Sequence, residues 1–449
     1  MRLSEIAKVL DAGMVGGDAE FEGVGTDSRG DLRHRLFVAL RGDRFDGHAF
    51  LMQAQDAGAV AALVDTCQPQ SIPQLVVEDT RRGLGLLARH WRRCQFQGTL
   101  IGVTGSNGKT TVKEMIASCL GGNSRVLKTR GNLNNDIGVP LTLLELKSSH
   151  RFAVIEMGAN HAGEIAWCAS LAEPSISVLN NVGPAHLEGF GSIEGVARAK
   201  GEIIAALPET GTAVLNADDR FFACHRDLAG ARRVLSFGFG VADVRALFVD
   251  PLRFDGGRFL NRFQVEALGE MFEVEIQLAG NHNVSNALAA IAGAVAAGRD
   301  ITGIQTGLAA LAPFRGRLRP VPAGGGAWIL DDCYNANPAS FAAGLDTLKV
   351  LGGEPWVIMG AFGELGAQTG DWHRHVGELA RKKGIRRLLA IGEPTRLAVK
   401  AFGGGGHWFP TKDALIETAM AMIDGDARIL VKGSRSQRLE TVVEALREH

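Results

Sequence analysis

TLIGVTGSNGKTTVKEMIASCL, residues 99–120, decides the fold. Residues 99–104 read as a strand that runs into a glycine-rich loop, and the loop opens into a segment with apolar residues at Val112, Met115, Ile116, Cys119 and Leu120. That spacing is one face of a helix. Strand, loop and helix in this order make a phosphate-binding turn: loop N–H groups and the helix N-terminus face the anion, and glycines let it approach without a Cβ clash. The candidate loop residues are Thr104, Gly105, Ser106, Asn107, Gly108, Lys109, Thr110 and Thr111. Lys109 would reach the terminal phosphates, and the Thr110 hydroxyl would ligate Mg²⁺. The usual G-x-x-x-x-G-K spacing wants Gly at 103, where Val103 stands. Gly105 lies inside the loop instead.

The same alternation continues outward. FAVIEMG (152–158), SISVLNNVG (175–183) and TAVLNADD (212–219) read as further strands separated by helical stretches, which implies a parallel sheet covered on both faces. A stretch near 230–280 alternates differently and reads as a β insertion, before an Ala-rich helix at 284–298. After Pro313 the pattern restarts with strands WILDDCY (328–334), WVIMGAFG (356–363), LLAIGE (388–393) and RILVKGS (428–434). They end in Asp331, Asp332, Glu364, Glu393 and Lys432, and ligands of open α/β sheets bind at such carboxyl ends. The first 95 or so residues form a smaller α/β unit, with strands near 36–40, 61–65 and 75–79. The expected fold class is therefore α/β in three domains, at 1–97, 98–313 and 314–449, the central one carrying the phosphate loop and the last Rossmann-like.

Composition agrees with this reading. The 449 residues suit about three domains. Lys plus Arg is 48 and Asp plus Glu is 49, a balance that argues against general nucleic-acid or membrane-surface binding. The longest charge-free apolar helical stretch, Ala287 to Gly298, falls short of the roughly 20 residues that span a bilayer. Six scattered cysteines form no C-x-x-C pair, and Glu5 and Lys8 interrupt the first apolar stretch, so the expectation is a cytoplasmic enzyme with reduced thiols.

Glu156 ends a strand beside the phosphate loop, where a carboxylate can hold Mg²⁺. His186 follows the next strand into the same rim, although Mg²⁺ seldom chooses imidazole. Lys200, in VARAKGEI, reads on its own as a solvated helix residue.

TGSNGKTTVKEM (104–115), GNLNNDIGVPLTLL (131–144), EMGANHAGEI (156–165), NVGPAHLEGFGSIEGVARAKGEI (181–203), GNHNVSNALAA (280–290), DDCYNANP (331–338) and KGSRS (432–436) together resemble the Mur ligases. TDSR (26–29) and GDRFDGH (42–48) resemble that family's N-terminal domain. The resemblance runs in order through nearly the whole chain and is strongest to the branch that adds D-alanyl-D-alanine. It implies an ATP-dependent amide ligase that joins D-alanyl-D-alanine to UDP-N-acetylmuramoyl-tripeptide through an acyl phosphate, acting as a monomer. It reverses the reading of His186 and Lys200, which match the site of a second Mg²⁺, Lys200 as a carbamate. Thr110 and Glu156 match ligands of the first ion. Asn283 and Asn286 match the adenine region, Arg317 an arginine that reaches the ATP phosphates, and Asp332 a carboxylate near the ribose. Ser28, Arg29, Gly47 and His48 match the segment expected to hold the UDP end.

One departure stands out. The family's G-D-M-x-E-L-G is GAFGELG here (360–366), with Ala361 in the Asp place, while Glu364 is kept and His373 stands where the family often has His. Two rivals follow: a ligase for another amino acid or peptide, and a phosphate-loop ATPase that regulates and no longer ligates. ATP turnover that requires both the muramoyl peptide and the dipeptide separates them from the first reading.

Overall fold

Thr99–Thr104 is a strand buried along nearly its whole length, as expected of a central position in a parallel sheet. The computed structural model describes residues 1–448 apart from 43–44, 70–71, 123–124, 185–186 and 364. Thr99–Thr104 pairs in parallel with Phe152–Glu156 on one side and Ile176–Leu179 on the other. The parallel run extends from Val126–Lys128 at one edge through Thr212–Asn216 and Arg233–Gly238. The 230–280 insertion then changes the sheet's character: Val244–Val249 and Glu270–Ile276 pair antiparallel with Arg258–Ala267. The sheet is therefore not parallel throughout. Arg258–Ala267 alternates buried with more exposed residues, the pattern of a strand with one face in the core.

The third unit has strand order Arg319–Pro322, Trp328–Asp332, Ala427–Lys432, Glu354–Gly360, Arg387–Ile391, Gly406–Phe409, parallel except for the first. Among the described residues the N-terminal sheet has five strands, with Gly13–Val15 antiparallel at its edge.

The seams between units differ in kind. RHWRRC belongs to the helix Thr80–Gln95, whose Leu84, Leu87 and Ala88 share one continuous apolar core with Ile165 and Leu171 of the central unit. Trp91 Nε1 donates to Leu146 O at 3.0 Å and Arg92 Nε to Ala172 O at 3.0 Å, so the polar groups at that seam are paired as well. On the other side, Phe254 of the β insertion meets Trp328 of the third unit edge-on at 5.1 Å, and Phe259 is buried in the third unit's core. Among the described residues no helix is long and apolar enough to cross a membrane.

Behind the phosphate loop, helix Lys109–Cys119 packs on Asn281–Ala296 and Ile301–Ala309. Ser118 Oγ donates to Gly307 O at 2.7 Å, and a Cβ on residue 307 would lie 2.6 Å from backbone atoms of Cys119. Gly307→Val should therefore force the helices apart at a cost of about 2 kcal/mol. Calorimetry should show the melting temperature several degrees lower; an unchanged value would mean the helices separate freely.

Candidate functional site

The carboxyl ends of the three central strands bring the phosphate loop, Glu156 and Asn180 together. Loop shape is held by amides of the next strand's exit: Ser106 N donates to Asn181 O at 2.9 Å, Asn107 N to Asn181 Oδ1 at 2.9 Å, and Asn180 Nδ2 to Asn107 O at 2.9 Å. Ser106 Oγ donates to Gly183 O at 3.0 Å. Gly108 begins the helix at φ +79°, and a Cβ there would stand 2.3 Å from Asn286 Oδ1 and 2.6 Å from Asn180 Nδ2. The loop thus turns on Gly105 and Gly108, while Gly102 stays inside the strand. Lys109 Nζ donates to Gly105 O at 2.8 Å and so lies along the loop's inner side. Thr104 Oγ1 donates to Met157 O at 2.8 Å, which gives it a bracing role beneath the loop.

A cavity of about 590 Å³ opens in front of this loop. Its walls include residues 106–111, Glu156, Asn283 and Asn286 from the central unit, and Arg317, Asp332 and Lys432 from the third. The sequence-expected ATP residues Asn283, Asn286, Arg317 and Asp332 therefore face the same space as the loop. Asn180 Nδ2 bonds Asn286 Oδ1 at 2.8 Å, and Asn286 Nδ2 bonds Asn283 Oδ1 at 3.0 Å, so these amides form one chain. Arg317 Nη2 donates to the Thr110 hydroxyl at 3.0 Å, and its guanidinium lies 4.6 Å from the centre of the Tyr334 ring. Asp332 Oδ2 accepts from Lys432 Nζ at 2.5 Å. Burial pushes the Asp332 carboxyl above its ordinary range, against the pull of that ammonium.

Glu156 is 2% exposed. Its Oε1 accepts from Asn134 Nδ2 at 2.8 Å, whereas Oε2 has no hydrogen-bond partner among the described residues and lies 3.8 Å from Lys113 Nζ. A buried carboxylate oxygen without a hydrogen bond is costly unless something else completes it. Thr110 and Glu156 are hard oxygen donors of the type Mg²⁺ takes. Lys200 is not a solvated helix residue: it is 1% exposed on the helix Ile193–Ala205 and has no hydrogen-bond or ion-pair partner among the described residues. Burial first, and the Lys109 charge second, push its ammonium well below the usual lysine range. His186 and Glu364 lie outside the described residues.

The N-terminal candidates stand apart from the cavity lining. Ser28 Oγ donates to Gln53 Oε1 at 2.9 Å, and Arg29 is an exposed partner of Asp27. Gly47 N donates to Leu40 O at 2.8 Å. His48 is braced on both ring nitrogens: Asp65 N donates to Nε2 at 3.1 Å, so Nδ1 carries the proton and donates to Asp46 Oδ1 at 2.6 Å. Ala361 is buried and outside the cavity lining; its carbonyl accepts from Ser434 Oγ at 2.8 Å. His373 accepts from Phe362 N at 3.1 Å and donates to Thr369 O at 2.7 Å, pinning the loop that follows. Glu393 turns outward to Arg396.

Residues 103–294 match the Mur ligase middle domain, 316–435 the Mur ligase glutamate ligase domain and 20–92 the Mur ligase family catalytic domain. The UDP-N-acetylmuramoyl-tripeptide–D-alanyl-D-alanine ligase of Escherichia coli (strain K12) is 42% identical over 100% of this chain and 98% of its own. The chain belongs to the Mur ligase family. Among solved Mur ligases, crystal structure I of MurF from Acinetobacter baumannii superposes with a TM-score of 0.92 at 34% identity, covering 99% of this chain and 98% of that one. MurF ligase from Thermotoga maritima, in complex with ADP, gives 0.83 at 29% identity, over 95% of this chain and 97% of that one.

Sequence reasoning left Asn134, Asn180, Asn181, Lys113 and Asn337 without roles, although all five lie in quoted Mur-like stretches or in the strand exit SISVLNNVG. A repeated Asn at strand ends was the available signal, since its amide can bond loop backbone as donor and acceptor together. Gly108→Ala should lower ADP affinity at least tenfold by calorimetry with an unchanged circular dichroism spectrum. Wild-type affinity would show that residue 108 does not shape the loop.

Proposed function

We propose that this chain joins D-alanyl-D-alanine to UDP-N-acetylmuramoyl-tripeptide with conversion of ATP to ADP and phosphate, a step of peptidoglycan precursor synthesis. The observation that carries the reading is the single cavity in which the phosphate loop and the buried Glu156 of the central unit face Arg317 and Lys432 of the third. Full-length similarity to a ligase of that name supplies the substrates. Residues 1–97 would hold the UDP end, 98–313 ATP, and 314–449 would close over ATP and the amine. The enzyme works in the cytoplasm as a monomer.

A carboxylate is a poor electrophile, so phosphoryl transfer to the tripeptide must precede amide formation. The loop N–H groups and Lys109 offset charge on the transferring phosphoryl group, the main requirement of such steps. Arg317 adds a second cation from the opposite wall, 3.0 Å from Thr110. Asp332 and Lys432 hold each other in place beside the cavity, and Asn283 and Asn286 offer amide edges to a base. The dipeptide amine then attacks the acyl phosphate, a tetrahedral intermediate forms, and phosphate leaves. Closure across the cavity holds the reactants in line and keeps water from the acyl phosphate.

Glu156, whose Oε2 has no hydrogen bond among the described residues, and the Thr110 hydroxyl would hold one Mg²⁺, and the family resemblance assigns His186 and a carbamylated Lys200 to a second. Such ions supply charge neutralisation on the phosphates. The Lys200 environment supports the carbamate. Depressing its pKa leaves more free amine near neutral pH, and free amine is the form that takes up CO₂. The product is an anion near the Lys109 charge.

If an acyl phosphate forms, heavy oxygen placed in the tripeptide carboxylate must appear in inorganic phosphate and not in ADP; its absence from phosphate excludes that intermediate. Lys200→Ala should lose most activity and regain part of it with short carboxylates. Full activity in that variant would remove the carbamate.

A further inference from the structure

The side chain of Asn107 has an unusual allegiance. The backbone of this residue works within the central unit, donating to Asn181 Oδ1 and accepting from Asn180 Nδ2, both at 2.9 Å, and from Asn181 Nδ2 at 3.1 Å. Its carboxamide makes no hydrogen bond within the central unit among the described residues. Instead Asn107 Oδ1 accepts from Asn337 Nδ2 of the third unit at 2.9 Å.

Asn337 is committed at its other end. It is the N-cap of the helix Pro338–Val350, where its Oδ1 accepts from Ser340 N at 2.9 Å and Ser340 Oγ accepts from Asn337 N at 3.1 Å, a reciprocal capping box. One carboxamide therefore spends its acceptor on the helix and its donor on the phosphate loop. Because the cap fixes the amide's orientation, the bond to Asn107 can form only when the helix N-terminus sits over the loop. Asn337, Ala339 and Ser340 line the cavity from that side.

We propose that Asn337 is a positioning residue that couples closure of the third unit to the phosphate loop through the Asn107 carboxamide. This deepens the ligase reading and rests on it for the kinetic part only. A single net hydrogen bond in a wet cleft changes an equilibrium about fivefold, so closed protein should predominate over open by that much more when the bond is present.

Three variants test it: Asn337→Ser, which keeps a good cap but is too short to reach Asn107; Asn107→Ala, which leaves the cap untouched; and the pair. Small-angle scattering without nucleotide gives the closed-to-open balance, ADP release gives kcat and KM for ATP, and the melting temperature reports the cap. Each single variant should expand the particle and lower kcat/KM for ATP about fivefold at an unchanged melting temperature, and the pair should be no worse than Asn107→Ala alone. A wild-type radius of gyration and wild-type kinetics in Asn337→Ser overturn the proposal, and so do losses that multiply in the pair. If Asn337→Ser also weakens the cap, the scattering of Asn107→Ala decides, expansion supporting the bond and no change refuting it. Native protein that fails to release ADP with the tripeptide and D-alanyl-D-alanine would sink the ligase reading while leaving the scattering to judge this one.

Discussion

The site depends on one close approach: backbone at Gly108 passing against the amides of Asn180 and Asn286, where a Cβ would stand 2.3 Å from Asn286 Oδ1. Because nothing fills that space, the Asn180 amide can bond both the loop carbonyl of Asn107 and the helix residue Asn286. Loop and helix Asn281–Ala296 are thereby fixed to each other, and the helix N-terminal turn becomes the cavity wall. A neutral amide suits this place better than a charged group. It satisfies loop donors and acceptors and leaves the local charge to Lys109, Arg317 and Glu156.

The two seams divide labour. The N-terminal unit shares a continuous apolar core with the central one, and burial of that kind resists separation. The third unit is joined through the Phe254–Trp328 contact at one end and faces the central unit across a polar cleft, where Arg317 meets Thr110 and Asn337 meets Asn107. Polar contacts that water can replace are weak net stabilisers. The cleft contacts can therefore exchange with water, while Phe259 anchors the insertion end in the third unit's core.

Electrostatics around the loop is unbalanced in a way that suits anionic ligands. Lys200 is buried with the Lys109 charge near it, and Glu156 keeps one oxygen without a hydrogen bond. Removing a lysine from water and placing it near another cation costs free energy that no described contact offsets. Both features leave charge beside the phosphate loop that the described protein contacts do not fully compensate.

The sequence determined the central architecture by itself. The run from Thr99 to Leu120 carried strand, loop and helix in local spacing, and the strands after Pro313 fell where apolar runs ended in polar residues. These are local properties, set by which faces must be buried. Tertiary structure decided what local pattern could not carry. The 230–280 insertion added antiparallel strands to the edge of a parallel sheet, and its Phe259 joined another unit's core, because what covers an insertion is supplied by residues distant in sequence. Lys200 proved buried, because the exposure of a helix face depends on what packs on it. His48 proved braced by Asp46 and Asp65, each on its own ring nitrogen, a matter of geometry between strands. The pairing of Asn107 with Asn337, 230 residues apart, exists only because two separately wound sheets turn their carboxyl ends toward one cleft.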